Sequence, residues 1–512
     1  MQANQPLRTT RAQSASRSAT IRRVLENSDG WSPPGSDGWS PAGSNGLSPG
    51  GSNGSYLGEL LGERAFGAMH LNQRYLNRQL GRVVRTLGFD REWIEGRGPY
   101  LIDREGDEYL DFLSGYGVFA LGRNHPYVKR QLQSVLMADT PNLPQLGVSA
   151  PAGALAEELV RLSPGSLDAV VLNNSGTEAV EAALKLARAA TGRPRFLYCE
   201  RAFHGLTIGS LSVNGNEEFR DRFEPLLLGC EAVPFGDEQA LERELKRGDV
   251  AAFIVEPVQG KGVYVAPDGY LPRAQLLCRR AGTLLIVDEV QTGLGRTGRF
   301  LAHEHWGIEP DLVTVSKALS GGFVPAGALL ASRAVFDATF DSMERSVVHG
   351  STFGGGDLAA AAALATLVVI EQDGLVERAA RLGELLMELT RPLVERYEIV
   401  REVRGLGLMW GIELGPPSQR AANRLWEAIE RRQPGLFAQM ITVPLFRKHK
   451  ILTQVAGHHM NVIKALPPLI TPEEDLRRFV RALEAVLGEA ERHMVRNYAS
   501  LGLGLGRRSL TA

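Results

Sequence analysis

From about Arg64 onward the chain alternates short apolar runs with helical patterns. The runs are "AVVLNN", "RFLYCE", "VAAFIVEP", "TLLIVDE" and "LVTVSK". They are nearly continuous in apolar residues rather than alternating, which is the pattern of strands buried on both faces of a mostly parallel sheet. Helical periodicity separates several of them, notably over Glu178 to Ala190. An α/β fold is expected, and in open α/β sheets ligands bind beyond the carboxyl ends of the strands. Polar residues collect at those ends: Glu256, Asp288, Glu289 and Lys317 each stand where an apolar run stops. The alanine-rich stretch from Asp357 to Leu375 reads as one long helix with Gly374 as its stop.

The first sixty or so residues differ in kind. An octapeptide repeats three times, "DGWSPPGS", "DGWSPAGS" and "NGLSPGGS", between Asp29 and Ser52. So much glycine, serine and proline buries too little apolar surface to offset chain entropy, so residues 1–63 read as a disordered extension. Arginines at 8, 11, 17, 22 and 23 precede the first acid, Glu26, a superficial likeness to a transit peptide. The expected organisation is then an N-terminal segment 64–120, a large domain 121–375, a smaller C-terminal α/β domain 376–496 and a tail 497–512.

Composition narrows the function classes. The 512 residues are 44% hydrophobic with a formal charge of -1, which offers no global attraction for nucleic acid or anionic membrane, and no run reaches the eighteen or so apolar residues of a membrane span. Cys199, Cys230 and Cys278 lie far apart, so no disulfide framework or metal site is indicated and a reducing, cytoplasmic setting is expected. "GLGRTG", Gly293 to Gly298, satisfies a dinucleotide G-x-G-x-x-G string. But "DEVQT" lies between the strand and the first glycine and sets two carboxylates where a pyrophosphate would sit.

Only eight of the 57 basic residues are lysines, and one of them, Lys317, follows an apolar run and precedes a glycine pair in "SKALSGG". A desolvated lysine loses proton affinity and becomes a nucleophile able to form a Schiff base, with pyridoxal phosphate as the natural aldehyde. That cofactor further requires a carboxylate for its ring nitrogen, an anion cradle for its phosphate and a flat face for its ring. Asp288 can supply the first. Gly176 and Thr177, where a strand ends and an amphipathic helix begins, can supply the second. Phe203 and His204 in "RAFHG", just past a strand, can supply the third, and Glu256 joins this cofactor set as another strand-end acid.

These residues resemble the class III, or ω-amino acid, aminotransferases, which are fold type I pyridoxal phosphate enzymes. The likeness spans roughly Arg64 to Arg496 and rests on motifs in family order: "LGRNHP", "NSGTEAVEAALKLAR", "FHG", "EPVQG", "DEVQTGLGRTG", "SKALSGG", "HGSTFGG" and "VRGLGL". It implies a mainly parallel seven-stranded sheet in the large domain. It makes Lys317 the Schiff-base lysine, Asp288 the ring-nitrogen partner, and Gly176 and Thr177 the phosphate ligands. By the same resemblance Gln291 would donate to the cofactor's phenolic oxygen and Val290 would pack opposite Phe203. Thr352 would reach the phosphate in a neighbouring subunit, implying a homodimer with shared active sites. Arg404 resembles an arginine that holds a substrate carboxylate, and Tyr116 and Lys261 complete the candidate substrate residues. The implied activity is ping-pong transfer of an amino group from an amine or amino acid to a 2-oxo acid or aldehyde. Lyases, decarboxylases and aminomutases share the scaffold, and a catalytically dead binding protein is the remaining alternative.

One position departs from the family. Ornithine- and 4-aminobutyrate-type members carry a glutamate after "EPxQG", where this chain has Lys261. Either Lys261 points outward and leaves Arg404 as a standing carboxylate site, or both cations line the entrance and favour a more anionic substrate. Repulsion between two desolvated cations favours the first arrangement.

Overall fold

The apolar runs become strands whose carboxyl ends meet along one edge of a sheet. The computed structural model describes residues 68–143, 147–432 and 434–492. The octapeptide repeats and the stretch after Asn497 lie outside the described residues. In chain order the strands begin with β1 (Trp93–Arg97), β2 (Tyr100–Asp103) and β3 (Glu108–Asp111). Then come β4 (Leu167–Asn173), β5 (Arg195–Cys199), β6 (Cys230–Val233), β7 (Val250–Val255) and a short hairpin of β8 (Val258–Gln259) with β9 (Tyr264–Val265). They continue with β10 (Leu284–Asp288), β11 (Leu312–Val315), β12 (Gly327–Ser332), β13 (Val400–Leu406) and β14 (Met409–Leu414), and end with β15 (Ile451–Leu452), β16 (Gln454–Val455) and β17 (Val462–Ala465).

Seven strands form the large sheet in the order β4-β12-β11-β10-β7-β5-β6. β12 runs antiparallel to both its neighbours, and the other pairs are parallel. Every residue of β5 and of β7 is buried, as near-continuous apolar runs require. The register sets Asp288 at the end of β10 opposite Thr314 on β11.

The helix expected over Glu178–Ala190 spans Gly176–Thr191. Ser175 caps its start by accepting from the Glu178 amide at 3.3 Å, and Gly192 ends it in a left-handed conformation at φ 67°. Its buried face, with Val180, Ala183, Leu184 and Ala187, packs with Phe196, Ile254 and Ile286 of the sheet.

The stretch expected to be one helix from Asp357 to Leu375 stops at Gln372 instead. Gly374 at φ 58° breaks it, and a new helix, Leu375–Thr390, leaves at 62° to the first. Among the described residues no single helix is long and apolar enough to cross a membrane.

The second sheet, β13-β14-β17-β16, takes the register Arg404, Gly411, Lys464 across three strands. A third sheet joins β1, β2 and β3 to β15, which pairs in parallel with β3. The N-terminal strands therefore share a sheet with residues 451–452 of the C-terminal part of the chain.

Candidate active site

The carboxyl ends of β5, β7, β10 and β11 open into a cavity of about 1060 Å³, and Phe203, Glu256, Asp288 and Lys317, which follow or end these strands, all line it. Lys317 follows β11 with its backbone in the left-handed region at φ 39°, a conformation costly for a side-chain-bearing residue and common at functional sites. Burial lowers the proton affinity of its amine, and Asp288 and Glu256 partly restore it.

Asp288 is held on both oxygens. Oδ2 lies 2.7 Å from His204 Nδ1, and Oδ1 accepts from the Thr314 hydroxyl at 3.0 Å and from the Val290 amide at 3.0 Å. Glu256 has a different task. Its carboxylate accepts from the Phe203 amide at 3.0 Å and the Gly260 amide at 2.8 Å, tying the loop after β5 to the hairpin after β7. Burial pushes its pKa up.

The helix start at Gly176 forms a cradle. Thr177 Oγ1 lies 2.7 Å from Thr207 Oγ1 and 2.6 Å from Ser210 Oγ, and the Thr207 hydroxyl donates to Glu181 at 2.5 Å. A Cβ on Gly176 would come within 2.7 Å of Val290 Cγ1, and one on Gly205 within 2.5 Å of Thr177 Oγ1. Any larger residue at either position would fill the cradle. Among the described residues His204 Nε2 is buried without a protein partner, and Val290 lines the cavity with Lys317. An orphaned ring nitrogen behind a carboxylate, a small-residue hydroxyl cradle and a buried amine together fit pyridoxal phosphate. Asp288, Gly176, Thr177, Phe203, Val290 and Lys317 are the residues that would hold it.

Gln291 also lines the cavity. Its amide nitrogen donates to the Tyr116 carbonyl at 3.0 Å, and its oxygen accepts from Lys464 Nζ at 3.1 Å. In its ammonium form Lys464 offers only donors, so it then meets the oxygen end of the Gln291 amide. Tyr116 is 57% exposed and lines the cavity. Thr352 stands apart, exposed on the loop before the helix Asp357–Gln372 and outside the lining. Its neighbour Ser351 accepts from Asn174 at 2.6 Å.

The two substrate-side cations lie otherwise than expected. Arg404 is 7% exposed and does not line the cavity. Its guanidinium donates to Glu402 and Glu413 at 2.6 Å each, to Gly262 O at 2.7 Å and to Val263 O at 3.1 Å, and it sits over the Tyr264 ring at 4.3 Å. With its donors engaged, it staples the β8–β9 loop to the β13–β14 hairpin. Lys261, expected to point outward, instead lines the cavity. Its amine lies 4.6 Å from the Phe219 ring centre and 5.4 Å from that of Phe203.

The cation that the sequence reading missed is Lys464. It is 3% exposed and donates to Gly260 O at 2.7 Å and to Gln291. Burial, with Lys317 and Lys261 nearby, pushes its pKa down to about 7. Arg404 and Lys464 lie in one cross-strand row with Gly411 between them, and in-register neighbours share a sheet face. Lys464 meets the loop at Gly260, on the cavity side, whereas Arg404 meets it at Gly262 and Val263. A lone lysine inside the apolar run "NVIKALPP" was the available signal. The remaining wall, with Val83, Leu87, Phe89, Trp93, Phe446 and Leu452, comes from the N-terminal helix Arg78–Leu87, the third sheet and the helix Leu436–His449.

Residues 89–487 match the family model for class-III aminotransferases. The chain is 38% identical over 449 residues to the aminotransferase PigE of a Serratia strain, covering 81% of this chain and spanning about half of that protein, 52%. It is 44% identical over 415 residues to the putrescine aminotransferase of Pectobacterium atrosepticum, covering 78% of this chain and 84% of the relative. In structure it is similar to the ornithine aminotransferase of Toxoplasma gondii, with a TM-score of 0.70 at 33% identity, covering 79% of this chain and 91% of that one. A second structure of the enzyme holds pyridoxal phosphate at partial occupancy in its active site.

Proposed function

The chain belongs to the class-III aminotransferases, whose cofactor is pyridoxal phosphate, and from that premise we propose that it moves an amino group from a primary amine or amino acid to a 2-oxo acid or aldehyde. The observation that carries this reading is Lys317, whose desolvated amine faces Asp288 and Glu256 at the floor of the cavity. Bound there, the cofactor supplies a carbonyl that captures amines and a ring that withdraws electrons from the adjacent carbon. The chain's own residues do the rest. Lys317, with lowered proton affinity, serves as nucleophile and, once free, takes a proton from the substrate carbon and returns one. Asp288 would hold the ring nitrogen, and His204 holds Asp288. Glu256 fixes the Phe203 loop, so the ring face keeps its position.

Lys464 and Lys261 are the cations that fit an acceptor's carboxylate, in place of Arg404. A homodimer with Thr352 at the partner's cofactor phosphate is in keeping with the exposure of that loop and of the nearby apolar side chains Met343 (88%), Val347 (87%) and Phe353 (65%). The free state of all three cysteines supports a cytoplasmic setting.

The test supplies holoenzyme with a primary amine and pyruvate or 2-oxoglutarate. Alanine or glutamate should form in step with the carbonyl product, and initial-rate plots should be parallel, as a two-stage reaction requires. Ammonia released from the amine without any acceptor would replace transamination by a lyase reaction.

A further inference from the structure

The cavity wall is unequal in charge. Among the described residues only two carboxylates, Glu256 and Asp288, line it. Both sit at the cofactor floor with their oxygens already accepting hydrogen bonds from Phe203, Gly260, His204, Thr314 and Val290. Three lysines, Lys261, Lys317 and Lys464, line the same space, as do Arg82, His458 and His459. The other acid that acts on Lys261 is Glu218, whose carboxylate lies 3.5 Å from His458 Nδ1. Away from the floor, Val83, Leu87, Phe89, Trp93, Phe446 and Leu452 give the lining an apolar stretch, set among the uncharged polar side chains of Gln79, Thr86, Gln439, Thr442, Thr453 and Gln454. Phe89 and Phe446 pack at 4.7 Å there, and Tyr109 backs Phe446 at 4.8 Å.

A substrate with an amine at each end would bring a second ammonium into this space. It would meet cationic, uncharged polar and apolar groups, with no uncommitted carboxylate among the described lining residues to replace its water. The desolvation cost would then be offset by uncharged acceptors alone, against the repulsion of the lining cations. An alkyl chain in the same place loses only unfavourable hydration.

We infer that the amine this site converts carries an apolar chain and no second cationic group. The inference rests on the transamination reading and narrows its donor to hydrophobic monoamines, setting the chain apart from a putrescine-type donor despite the identity to putrescine aminotransferase.

The experiment compares n-alkylamines from propylamine to octylamine with 1,4-diaminobutane and 1,5-diaminopentane. Each amine is read in two ways on the holoenzyme: as kcat/KM for transfer to pyruvate, and as the concentration that produces half the cofactor's spectral change without acceptor. Octylamine should exceed 1,4-diaminobutane at least a hundredfold in both, and each added methylene should gain roughly threefold to fourfold until the wall is filled. Lys261→Glu should raise diamine turnover at least tenfold, with Lys261→Gln between it and the native chain. Equal or better use of diaminobutane by the native chain overturns the inference while leaving transamination intact, and so does a preference that Lys261→Glu and Lys261→Gln both fail to move. A spectral preference for octylamine with no amino transfer keeps the inference and overturns the transamination reading.

Discussion

Two sheets each present a lysine to one cavity, and the same chemical group meets different neighbours. Lys317 follows β11 of the seven-stranded sheet, where Asp288 and Glu256 oppose the loss of its proton. Lys464 lies within β17 of the four-stranded sheet, where Lys317 and Lys261 add their repulsion to burial and only Glu256 opposes them. The first lysine stands over acids that a cofactor ring can use. The second stands among amines and carbonyl oxygens, with Gly260 O and Gln291 Oε1 as its acceptors. Reactivity therefore belongs to the floor built by the large sheet. On the proposed reading, substrate charge preference belongs to the wall built by the small one and the loop it grips.

The largest effect falls on the floor. Lys317→Ala should lower amino transfer by roughly 10⁴-fold or more while far-UV circular dichroism stays native, because nucleophile and proton carrier leave together. Single-turnover conversion of a bound amine measures it directly. Near-native turnover without added small amines would remove Lys317 from the chemistry and erase the distinction between the two lysines.

Next comes Arg404, which the comparison assigns to architecture. Arg404→Ala strands Gly262 O and Val263 O and separates the hairpin from Glu402 and Glu413. Both acids are partly exposed, so water recovers part of the loss, and about 1–3 kcal/mol of destabilisation is expected. Thermal or urea unfolding reads that loss. The ratio of kcat/KM for a 2-oxo acid to that for an uncharged aldehyde should stay within about twofold of native. A selective loss with the oxo acid would return Arg404 to the carboxylate site.

Much of the floor was legible because its chemistry sits at breaks in pattern. Asp288 and Lys317 end apolar runs, Gly176 and Thr177 open a helix, and a parallel sheet brings such ends to one edge whatever the loops between them do. The wall follows no comparable rule. Lys464 is flanked by apolar residues on both sides, and the register sets it with Arg404 on one sheet face; what separates them is where each meets the β8–β9 loop, Lys464 at Gly260 beside the cavity and Arg404 at Gly262 and Val263 away from it. The outward placement expected for Lys261 rested on repulsion in a desolvated site, and left out the aromatic faces of Phe203 and Phe219 that receive its amine. The helix break at Gly374 was legible as a stop, but not the restart of a second helix directly after it.

The smallest effect separates the two lysines by pH. Lys464 is pushed down to about 7 by burial and by the amines of Lys317 and Lys261, with Glu256 acting against them. Below that value it carries a charge that can meet an acceptor's carboxylate; as pH rises through about 7 the proton leaves and the attraction goes with it. For a 2-oxo acid, kcat/KM should therefore fall by about tenfold between pH 6 and pH 8 relative to an aldehyde acceptor, an energy of about 1.4 kcal/mol. The ratio is the informative quantity, because Lys317 serves both acceptors and its own titration cancels. Lys464→Met should flatten the ratio at the value the native chain reaches at high pH. Lys464→Arg, charged throughout, should hold it near the low-pH value. A ratio that still falls with pH in Lys464→Met would assign the titrating cation to Lys261, whose proton affinity is lowered by the same burial, and Lys261→Met would then flatten it instead.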